Sequence, residues 1–460
     1  MFMKMRNYGL MATTALLMTT GFAMAQSPFT TPGAGFTGST YVYFDGEGPI
    51  LAGGVATIEG SDLAPGQTVN LLRGTTPLTP EPITVDAEGN LKLTVSIPDD
   101  AAVGSHPIVV VTENPSVAEV VDLKVSPVVP PSNEDKFQLD SVQVTKRPYQ
   151  VAYSPASKSI FVTGSVGRPP IKESELVKLD AATWEKQAQI TPAPAPAQPD
   201  GKDGGLFAVY GVGVDDANGN VWVTNTRQGT LAVYKQADLS LVKQFPPNED
   251  GHPRDVLIDN GQAYVSGSFH GDINVYDTAT LEELDSIHIK SESWDKEFGA
   301  MALDIQGGKL VTTSLTTPEA AIIDLASKDV RVLPLTGVQD ASGVAYDPQD
   351  GLLFVVSQQN DKLLIVDEKT GEIAHSVLTG AGPLNVAFDP KSRLAFVGNR
   401  DSGTVTVVDT KGEIVANLPV NGQPNQLRAD GLGNIWAVTM SGAQETVPES
   451  EKVWRIHPVG

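Results

Sequence analysis

Seven similar segments follow one another from about residue 148 to the C-terminus, and this repetition restricts the possible folds more than any other feature. Each segment has a short strand, an acidic turn and a second strand, as in PYQVAYSPASKSIFVTG from Pro148 and PLNVAFDPKSRLAFVGN from Pro383. The first interval between turns is 61 residues and the others are 41–45, measured between Ser154, Asp215, Asp259, Asp304, Asp347, Asp389 and Asp430. A period of about 40–45 residues with several short strands is typical of propeller blades. The sequence therefore predicts an all-β protein with a seven-bladed β-propeller.

The last repeat is one strand short. Each full unit has four strands, a to d, and the acidic position ends strand a, but the final unit stops after its third strand, at residues 452–458. Residues 137–144 (FQLDSVQV) alternate like a strand and precede the first unit. We therefore expect residues 136–144 to supply the closing strand of the last blade, because a closed ring has no free sheet edge. The propeller then covers residues 136–460.

The chain begins like an exported protein. Lys4 and Arg6 precede an apolar run that ends at Ala23-Met24-Ala25, the pattern of a cleavable signal peptide over residues 1–25. No later segment has 18 uninterrupted apolar residues, so we expect a periplasmic protein without a transmembrane segment. Loss of the leader would change the formal net charge from −23 to −25, which opposes non-specific binding to nucleic acid and anionic lipid. Without cysteine, the chain has no thiol catalysis and no Cys-zinc site.

Three segments precede the repeats. Residues 26–39 are rich in Pro, Gly and Thr and predict a flexible lead. Residues 40–127 alternate apolar and polar residues between turn signals, which favours a small β-sandwich. Within it, GSDLAPGQTVNLL and DAEGNLKLTVSIPDDAAVGSHPIVVV resemble bacterial immunoglobulin-like modules, so we expect an immunoglobulin-like sandwich. Residues 128–135 are rich in Pro and charge and predict a semi-rigid linker.

Arginines are scarce and concentrate on one side of the predicted propeller. We name the side that carries the loops leading into strand a and the loops joining strands b and c the upper face. Arg147 and Arg254 fall where strand a begins, Arg168, Arg227 and Arg400 fall in b–c loops, and Arg428 falls within a strand a. A basic site in an acidic body suits phosphate or carboxylate ligands. The alternative is that these arginines pair with acids of neighbouring blades, such as Asp255 or Asp401, and only join the ring.

Aromatic and histidine side chains accompany these arginines. Tyr149, Tyr210 and Trp294 map near the same face. Trp294 is the expected exposed stacking platform, whereas Tyr149 and Tyr210 either line the face or, as we expect, belong to the core of strand a. His252 and His270 belong to two loops of one blade and could hold a metal with Asp255, but their spacing matches no metal motif, so we expect no metal and no cofactor.

The repeats resemble a known family. VWVTN at residues 221–225, AFVGN at residues 395–399 and SGTVTVVDTKGEIVANLPV at residues 402–420 resemble the YVTN-repeat β-propellers. The leader, the insert GAQETVPESEKVWRI and the segment WDKEFGAMALD are more similar to periplasmic YncE-like members, over about residues 137–460. The resemblance implies a ligand-binding protein that takes single-stranded DNA on the propeller face. The predicted ligand-binding residues are Arg147, Arg168, Asn225, Arg227, Arg254, His270, Trp294, Asn399, Arg400 and Arg428.

The sequence thus favours a non-catalytic, monomeric periplasmic protein that binds an anionic small molecule or single-stranded nucleic acid. One alternative is a scaffold that holds an envelope protein partner. Another is a propeller enzyme of lyase or hydrolase type, which would need convergent His, carboxylate or metal groups that the sequence does not assemble.

Overall fold

The computed structural model describes residues 35–46, 48–198, 201–247, 251–292, 295–442 and 447–459. The predicted signal peptide and most of the predicted lead lie outside these residues. No helix among the described residues has the length and apolar character needed to cross a bilayer.

The N-terminal domain is a β-sandwich. Its strands are β1 (Ser39–Tyr43), β2 (Val55–Ser61), β3 (Thr68–Arg73), β4 (Thr76–Pro77), β5 (Ile83–Thr84), β6 (Leu91–Ser96), β7 (Gly104–Glu113) and β8 (Val117–Val125). One sheet has the order β1-β2-β6, and the other has β4-β3-β7-β8 with β5 beside β3. Alternate side chains of β7 are buried, as the period of a strand requires, and Ile108 and Val110 pack with Ile58 and Leu71 between the sheets. Its relationship to immunoglobulin-like modules stays a prediction.

Seven four-stranded antiparallel sheets make up the rest of the described chain. The first three blades are β10 (Pro148–Ser154), β11 (Ser159–Val166), β12 (Glu173–Asp180) and β13 (Lys186–Ile190); β14 (Val209–Asp215), β15 (Asn220–Asn225), β16 (Thr230–Lys235) and β17 (Leu241–Gln244); β18 (Pro253–Asp259), β19 (Gln262–Gly267), β20 (Asp272–Asp277) and β21 (Glu283–His288). The next three are β22 (Ala300–Gln306), β23 (Lys309–Ser314), β24 (Glu319–Asp324) and β25 (Val330–Pro334); β26 (Ala341–Asp347), β27 (Leu352–Ser357), β28 (Lys362–Asp367) and β29 (Ile373–Leu378); β30 (Pro383–Asp389), β31 (Leu394–Asn399), β32 (Thr404–Asp409) and β33 (Ile414–Pro419).

The seventh blade combines the two ends of the propeller sequence. It has β34 (Gln423–Ala429), β35 (Ile435–Met440), β36 (Lys452–Pro458) and, as its outer strand, β9 (Phe137–Gln143). β9 pairs with β36 from Phe137 opposite Pro458 to Gln143 opposite Lys452. The sequence argument expected this pairing for residues 137–144. Three 3-10 helices complete the described secondary structure: Glu134–Lys136, Thr226–Gln228 and Pro448–Ser450.

The blades form a closed ring around a central channel. Each inner strand contacts the inner strand of the next blade, and β34 contacts β10 to close the circle. The cores lie between neighbouring blades: Phe161 of the first blade packs with Val221 of the second, and Val151 of the first packs with Trp436 of the seventh. The predicted all-β propeller is therefore confirmed.

Five of the seven predicted strand ends are correct, and two are not: β34 ends at Ala429, one residue before Asp430, and β22 extends beyond Asp304. Ser154, Asp215, Asp259, Asp347 and Asp389 end their inner strands. In the fourth blade, however, the inner strand continues to Gln306, two residues beyond Asp304. Gly307 and Gly308, both with positive φ, form the two-residue hairpin turn there, and no acidic residue is needed in it. Asp304 therefore lies within the strand and faces the channel.

Side chains on the inner strands hydrogen-bond to the backbone of the next blade. Oε1 of Gln150 accepts the N–H of Val212 at 3.0 Å, and Oδ2 of Asp255 accepts the N–H of Leu303 at 3.1 Å. The same type of bond joins Asn385 to Leu427, Gln426 to Val151 and Asp304 to Tyr346. We call these five bonds the inter-blade clasps.

Glycine occupies the corresponding position in two blades that lack a clasp. A Cβ atom on Gly211 would lie 2.3 Å from the carbonyl oxygen of Arg254, and one on Gly343 would lie 2.8 Å from Cα of Asn385. These distances are too short for any side chain, so neighbouring inner strands approach backbone to backbone at these two places.

The closing strand provides a test of ring stability. Phe137 is 6% exposed, and its ring meets that of Phe396 edge to face at 6.0 Å. We predict that Phe137→Ala lowers the free energy of unfolding by about 3 kcal/mol, because it leaves a cavity between the last two blades. Gln138→Ala, an exposed site on the same strand, should change it by less than about 0.5 kcal/mol. Equal melting temperatures for the two variants would contradict a structural role for β9.

Candidate functional site

A β-bulge where each inner strand begins sets the geometry of the channel mouth. In all seven blades the register between the inner strand and its neighbour shifts within the first residues of the inner strand. A bulged residue is released from regular pairing, so its side chain can be aimed away from the sheet. In the first three blades the second residue of the inner strand is Tyr149, Tyr210 and Arg254. The bulges bring these three side chains to the upper face.

Two tyrosines form the floor of the mouth. The rings of Tyr149 and Tyr210 meet edge to face, with centroids 4.6 Å apart. The guanidinium carbon of Arg254 lies 5.9 Å from the centroid of Tyr149, and that of Arg227 lies 5.9 Å from the centroid of Tyr210. Nε of Arg227 also donates to the Tyr210 hydroxyl at 3.4 Å. These cation–π contacts hold both guanidinium groups in place without neutralising them.

Two further arginines and a histidine surround the tyrosines. Arg147 donates to the carbonyl oxygen of Ser441 at 2.9 Å, and Nε of Arg400 donates to Oε1 of Gln423 at 3.2 Å. Burial lowers the pKa of the Arg400 guanidinium, Asp401 opposes this effect, and repulsion from Arg147 and Arg254 adds to it. We name Arg147, Arg227, Arg254, Arg400, His252, Tyr149 and Tyr210 the mouth cluster.

The histidine of the mouth cluster is kept neutral by its surroundings. Burial lowers the pKa of His252, and the positive charges of Arg227 and Arg254 lower it further. Its ring lies 5.1 Å from that of Phe269. A negative charge placed among these groups would oppose the lowering, so the protonation of His252 should respond to an anion.

Three arginines of the cluster lack a carboxylate partner. Within the described part of the chain, Arg227, Arg254 and Arg400 form no ion pair. Arginines elsewhere do: Arg393 pairs with Asp347 and Asp350, Arg428 with Asp255 and Arg455 with Asp140. The pairing alternative of the sequence analysis therefore fails at Arg254, because Asp255 pairs with Arg428 instead.

Arg428 was assigned to the ligand site from the sequence, and the structure corrects this. It spans the channel, where its guanidinium donates to the carbonyl oxygen of Val212 and to Oδ1 of Asp255, both at 2.9 Å. The Arg428 guanidinium thus links the seventh blade to the second and third blades and is not available to a ligand at the mouth.

Asn225 and Asn399 are also corrected. Both are fully buried at the ends of second strands, so neither can contact a ligand on the face. Asn399 donates to Thr404 and Thr406, and Asn225 to Gln244. Asn399 thus links the second and third strands of its blade, and Asn225 links the second and fourth strands of its own.

The remaining predicted residues do not join the cluster. Arg168 is exposed in its b–c loop and makes no hydrogen bond or ion pair with the described residues. His270 faces Glu297 at 3.5 Å, and Asp255 is occupied in the channel, so the suggested set of His252, His270 and Asp255 does not assemble. The described residues contain no group of three His, Cys, Asp or Glu side chains that could hold a metal. Trp294 lies outside the described residues.

The predicted ligand-binding residues did not include Tyr149 and Tyr210, and His252 was considered only together with His270, as a possible ligand contact or metal ligand. Tyr210 is 8% exposed, as a core residue would be, but its hydroxyl faces Arg227. Their position in the repeat could have assigned them to the site, because the tyrosines and Arg254 are equivalent residues of three successive repeats. The repeat alignment contained this information, although the bulge that exposes it has no sequence signature of its own.

Comparison with known proteins identifies the fold. No protein-family model and no curated protein sequence matches this chain. Among solved structures, virginiamycin B lyase from Staphylococcus aureus is similar at 16% identity, with a TM-score of 0.54 over 70% of this chain and 100% of that chain. The WD40 repeats of RRP9 are similar at 11% identity, with a TM-score of 0.56 over 72% of this chain and 99% of that one. A streptogramin B lyase structure has 13% identity and a TM-score of 0.54 over 71% and 100% of the two chains. At such identities the likeness shows the fold class alone, which is the β-propeller.

The channel carboxylate of Asp304 gives a pH-dependent prediction. Desolvation raises its pKa to about 6, although Arg428 and the N–H of Tyr346 favour the charged form. A carboxyl whose pKa is raised by folding destabilises the protein fully above the folded pKa, and the cost disappears as the pH falls below the unfolded value. Asp304→Asn should therefore increase the free energy of unfolding by about 1–2 kcal/mol above pH 6, with little gain near pH 4.

Urea unfolding at both pH values measures this effect, and the exposed Asp285→Asn is the charge-matched control. A loss of stability in Asp304→Asn at neutral pH would show that the attraction of Arg428 outweighs desolvation.

Proposed function

We propose that this protein is a non-catalytic periplasmic binding protein whose mouth cluster holds a small anion. The observation that carries the proposal is that Arg227, Arg254 and Arg400 form no ion pair with any described residue, at the channel mouth of a chain with a net charge of −23. Such cations repel one another and lose hydration, as the lowered pKa of Arg400 indicates. A phosphate or carboxylate would neutralise them and accept their hydrogen bonds.

The aromatic side chains favour a small anion over a single strand of nucleic acid. Single strands bind by stacking successive bases on exposed aromatic rings. Tyr149 and Tyr210 pack against each other and against guanidinium groups, so their faces are largely covered. Phe269 is 52% exposed beside His252, which offers a platform for one base. We therefore propose a small anion as the ligand. Single-stranded DNA, which the YncE-like resemblance implies, is tested beside it as an alternative ligand.

A protein scaffold and a propeller enzyme are the two alternative functions. A fold shared with WD40 repeats and with lyases is compatible with a protein scaffold and with a propeller enzyme. A scaffold should recover a stoichiometric protein partner from a periplasmic extract, and recovery that survives loss of the mouth arginines would favour it over anion binding.

Loss of the mouth arginines should weaken anion binding. The triple variant Arg227→Ala, Arg254→Ala and Arg400→Ala should bind inorganic pyrophosphate at least about 100-fold more weakly than the unaltered protein, because each charge-assisted hydrogen bond contributes about 1.5–3 kcal/mol. Calorimetric titration between about 50 and 200 mM NaCl measures the affinity and its dependence on salt. A thymidine oligonucleotide is titrated in parallel.

A charge-matched control separates local from global electrostatics. Arg73→Ala, Arg331→Ala and Lys411→Ala remove three exposed positive charges away from the mouth and should leave affinity nearly unchanged. If both triple variants bind equally, or if the unaltered protein binds neither probe at low salt, the proposed site is wrong.

His252 should make anion binding depend on pH. Sulfate keeps its charge between about pH 5 and pH 8, so any change in its affinity over that range reports on the protein. Because the pKa of His252 is lowered in the free protein, protonation at acidic pH adds a positive charge to the cluster, and sulfate should bind more tightly. His252→Gln should remove this dependence, whereas His375→Gln, exposed on β29, should retain it. An unchanged pH profile in His252→Gln would exclude the histidine from the site.

A further inference from the structure

The N-terminal sandwich is anchored to the propeller beside the mouth cluster. Nζ of Lys124, on β8, donates to Oδ1 of Asp361 at 2.9 Å and to the carbonyl oxygen of Gln358 at 3.2 Å. Both acceptors belong to the b–c loop of the fifth blade, which is on the upper face. The side chains of Lys124 and Asp361 are 18% and 1% exposed, so this pair is shielded from water, unlike a surface ion pair.

Asp361 transmits this anchor to the next blade. The same Oδ1 atom accepts the N–H of Gly382 at 2.8 Å, just before the inner strand of the sixth blade. The carbonyl oxygen of Gly382 accepts the N–H of Arg400 at 2.8 Å. A continuous path of three polar contacts therefore leads from Lys124 in the sandwich to the backbone of Arg400 in the mouth cluster.

Gly382 packs closely against the Arg400 loop. Its φ is +64°, and a Cβ atom there would lie 2.4 Å from Oδ2 of Asp401, the residue after Arg400. Ala381 accepts the N–H of Asp401 at 3.1 Å, so the two segments are bonded at consecutive residues. Displacement of Gly382 would consequently displace the Arg400 loop with it.

A second segment of the sandwich reaches the same loop. Gly48 lies in the turn between β1 and β2, and a Cβ atom there would be 3.6 Å from the carbonyl oxygen of Asp401. That turn is tied to the end of β8 by the N–H of Ser126, which donates to Ile50 at 2.8 Å. The turn at Gly48 therefore lies close to the Arg400 loop, and β8 is linked to that loop through Asp361.

The connection between the domains is fixed as well. Ser132 and Asn417 exchange backbone hydrogen bonds at 3.0 and 3.2 Å, and the Asn417 amide donates to the carbonyl oxygen of Val129 at 2.8 Å. The predicted linker thus lies along β33, the outer strand of the sixth blade. The sandwich is therefore bonded to the fifth blade through Lys124, and its linker is bonded to the sixth blade through Asn417.

We propose that the sandwich is part of the anion site, with Lys124 and Asp361 as positioning residues that set the place of Arg400. The identity of the ligand in this inference rests on the proposed function. The positioning of Arg400 by Lys124 and Asp361 does not depend on a ligand. Loss of the Lys124 charge leaves the Asp361 carboxylate buried without its cation, which shifts the Asp361–Gly382 junction and the loop bonded to it. Arg400 then points less accurately towards the anion.

Binding and labelling together test the inference. Lys124→Met should weaken pyrophosphate binding about tenfold. The effect should disappear when Arg400 is already Ala, because Lys124 acts through that residue; Asp361→Asn, which keeps an acceptor for Gly382, should have a smaller effect. Phenylglyoxal modification, quantified by mass spectrometry for each arginine, should increase at Arg400 in Lys124→Met and stay constant at Arg227. Arg73→Met, which removes an exposed charge from the same domain, should change neither readout.

Each outcome decides between the two claims. If the unaltered protein binds no pyrophosphate but Arg400 labelling rises in Lys124→Met, the proposed function fails and the positioning stands. Equal losses of affinity with and without Arg400 would mean that Lys124 only stabilises the fold. Unchanged labelling and affinity in both Lys124→Met and Asp361→Asn would overturn the inference.

Discussion

The inter-blade clasp is the interaction on which the ring depends. An inner strand has one edge towards its own blade and the other towards the channel, where its backbone groups need partners that no sheet supplies. Side chains such as Gln150 and Asp255 provide these partners by accepting an N–H from the following blade. Each clasp satisfies a backbone donor and fixes the angular position of a neighbour at the same time. The ring is thus joined near its axis by polar bonds and farther out by the apolar cores between blades.

The clasps also explain why the mouth is available for binding. The clasp residue follows the bulge, so the strand is fixed immediately inside the channel while the preceding residue is released towards the face. Tyr149 and Arg254 each directly precede a clasp residue, Gln150 and Asp255. In the second blade Tyr210 occupies the same position, where Gly211 replaces the clasp residue, so three successive blades fill the position with Tyr, Tyr and Arg. Side chains on such fixed elements lose little freedom on binding, which favours affinity.

The repeat made the ring and most of the cluster predictable, because a period of about 40–45 residues places every residue at a definite height in a blade. Arg147, Arg227, Arg254 and Arg400 follow from that mapping. The mapping failed where the position of a residue along its blade does not determine its contacts. Arg428 lies within the channel, and its side chain pairs with Asp255 across the ring. Asn225 and Asn399 end their second strands, next to the b–c loops, but their side chains are fully buried in the blades. Asp304 was misplaced by two residues because a Gly-Gly turn replaces the acidic one. Side-chain direction and partners across the ring have no local sequence signal.

For the proposed anion site, the acidic surface and the basic mouth would together favour a compact ligand. A net charge of −23 repels polyanions at a distance, and this repulsion grows with the number of phosphates that must cross the surface. A small anion meets that repulsion only once and then contacts several guanidinium groups together. The sandwich, anchored at Lys124 and approaching Asp401 through Gly48, adds a wall on the side of the fifth and sixth blades. The net negative charge of the protein and the sandwich beside the mouth would both favour a compact ligand. An extended strand of nucleic acid would have to leave the mouth across an acidic surface.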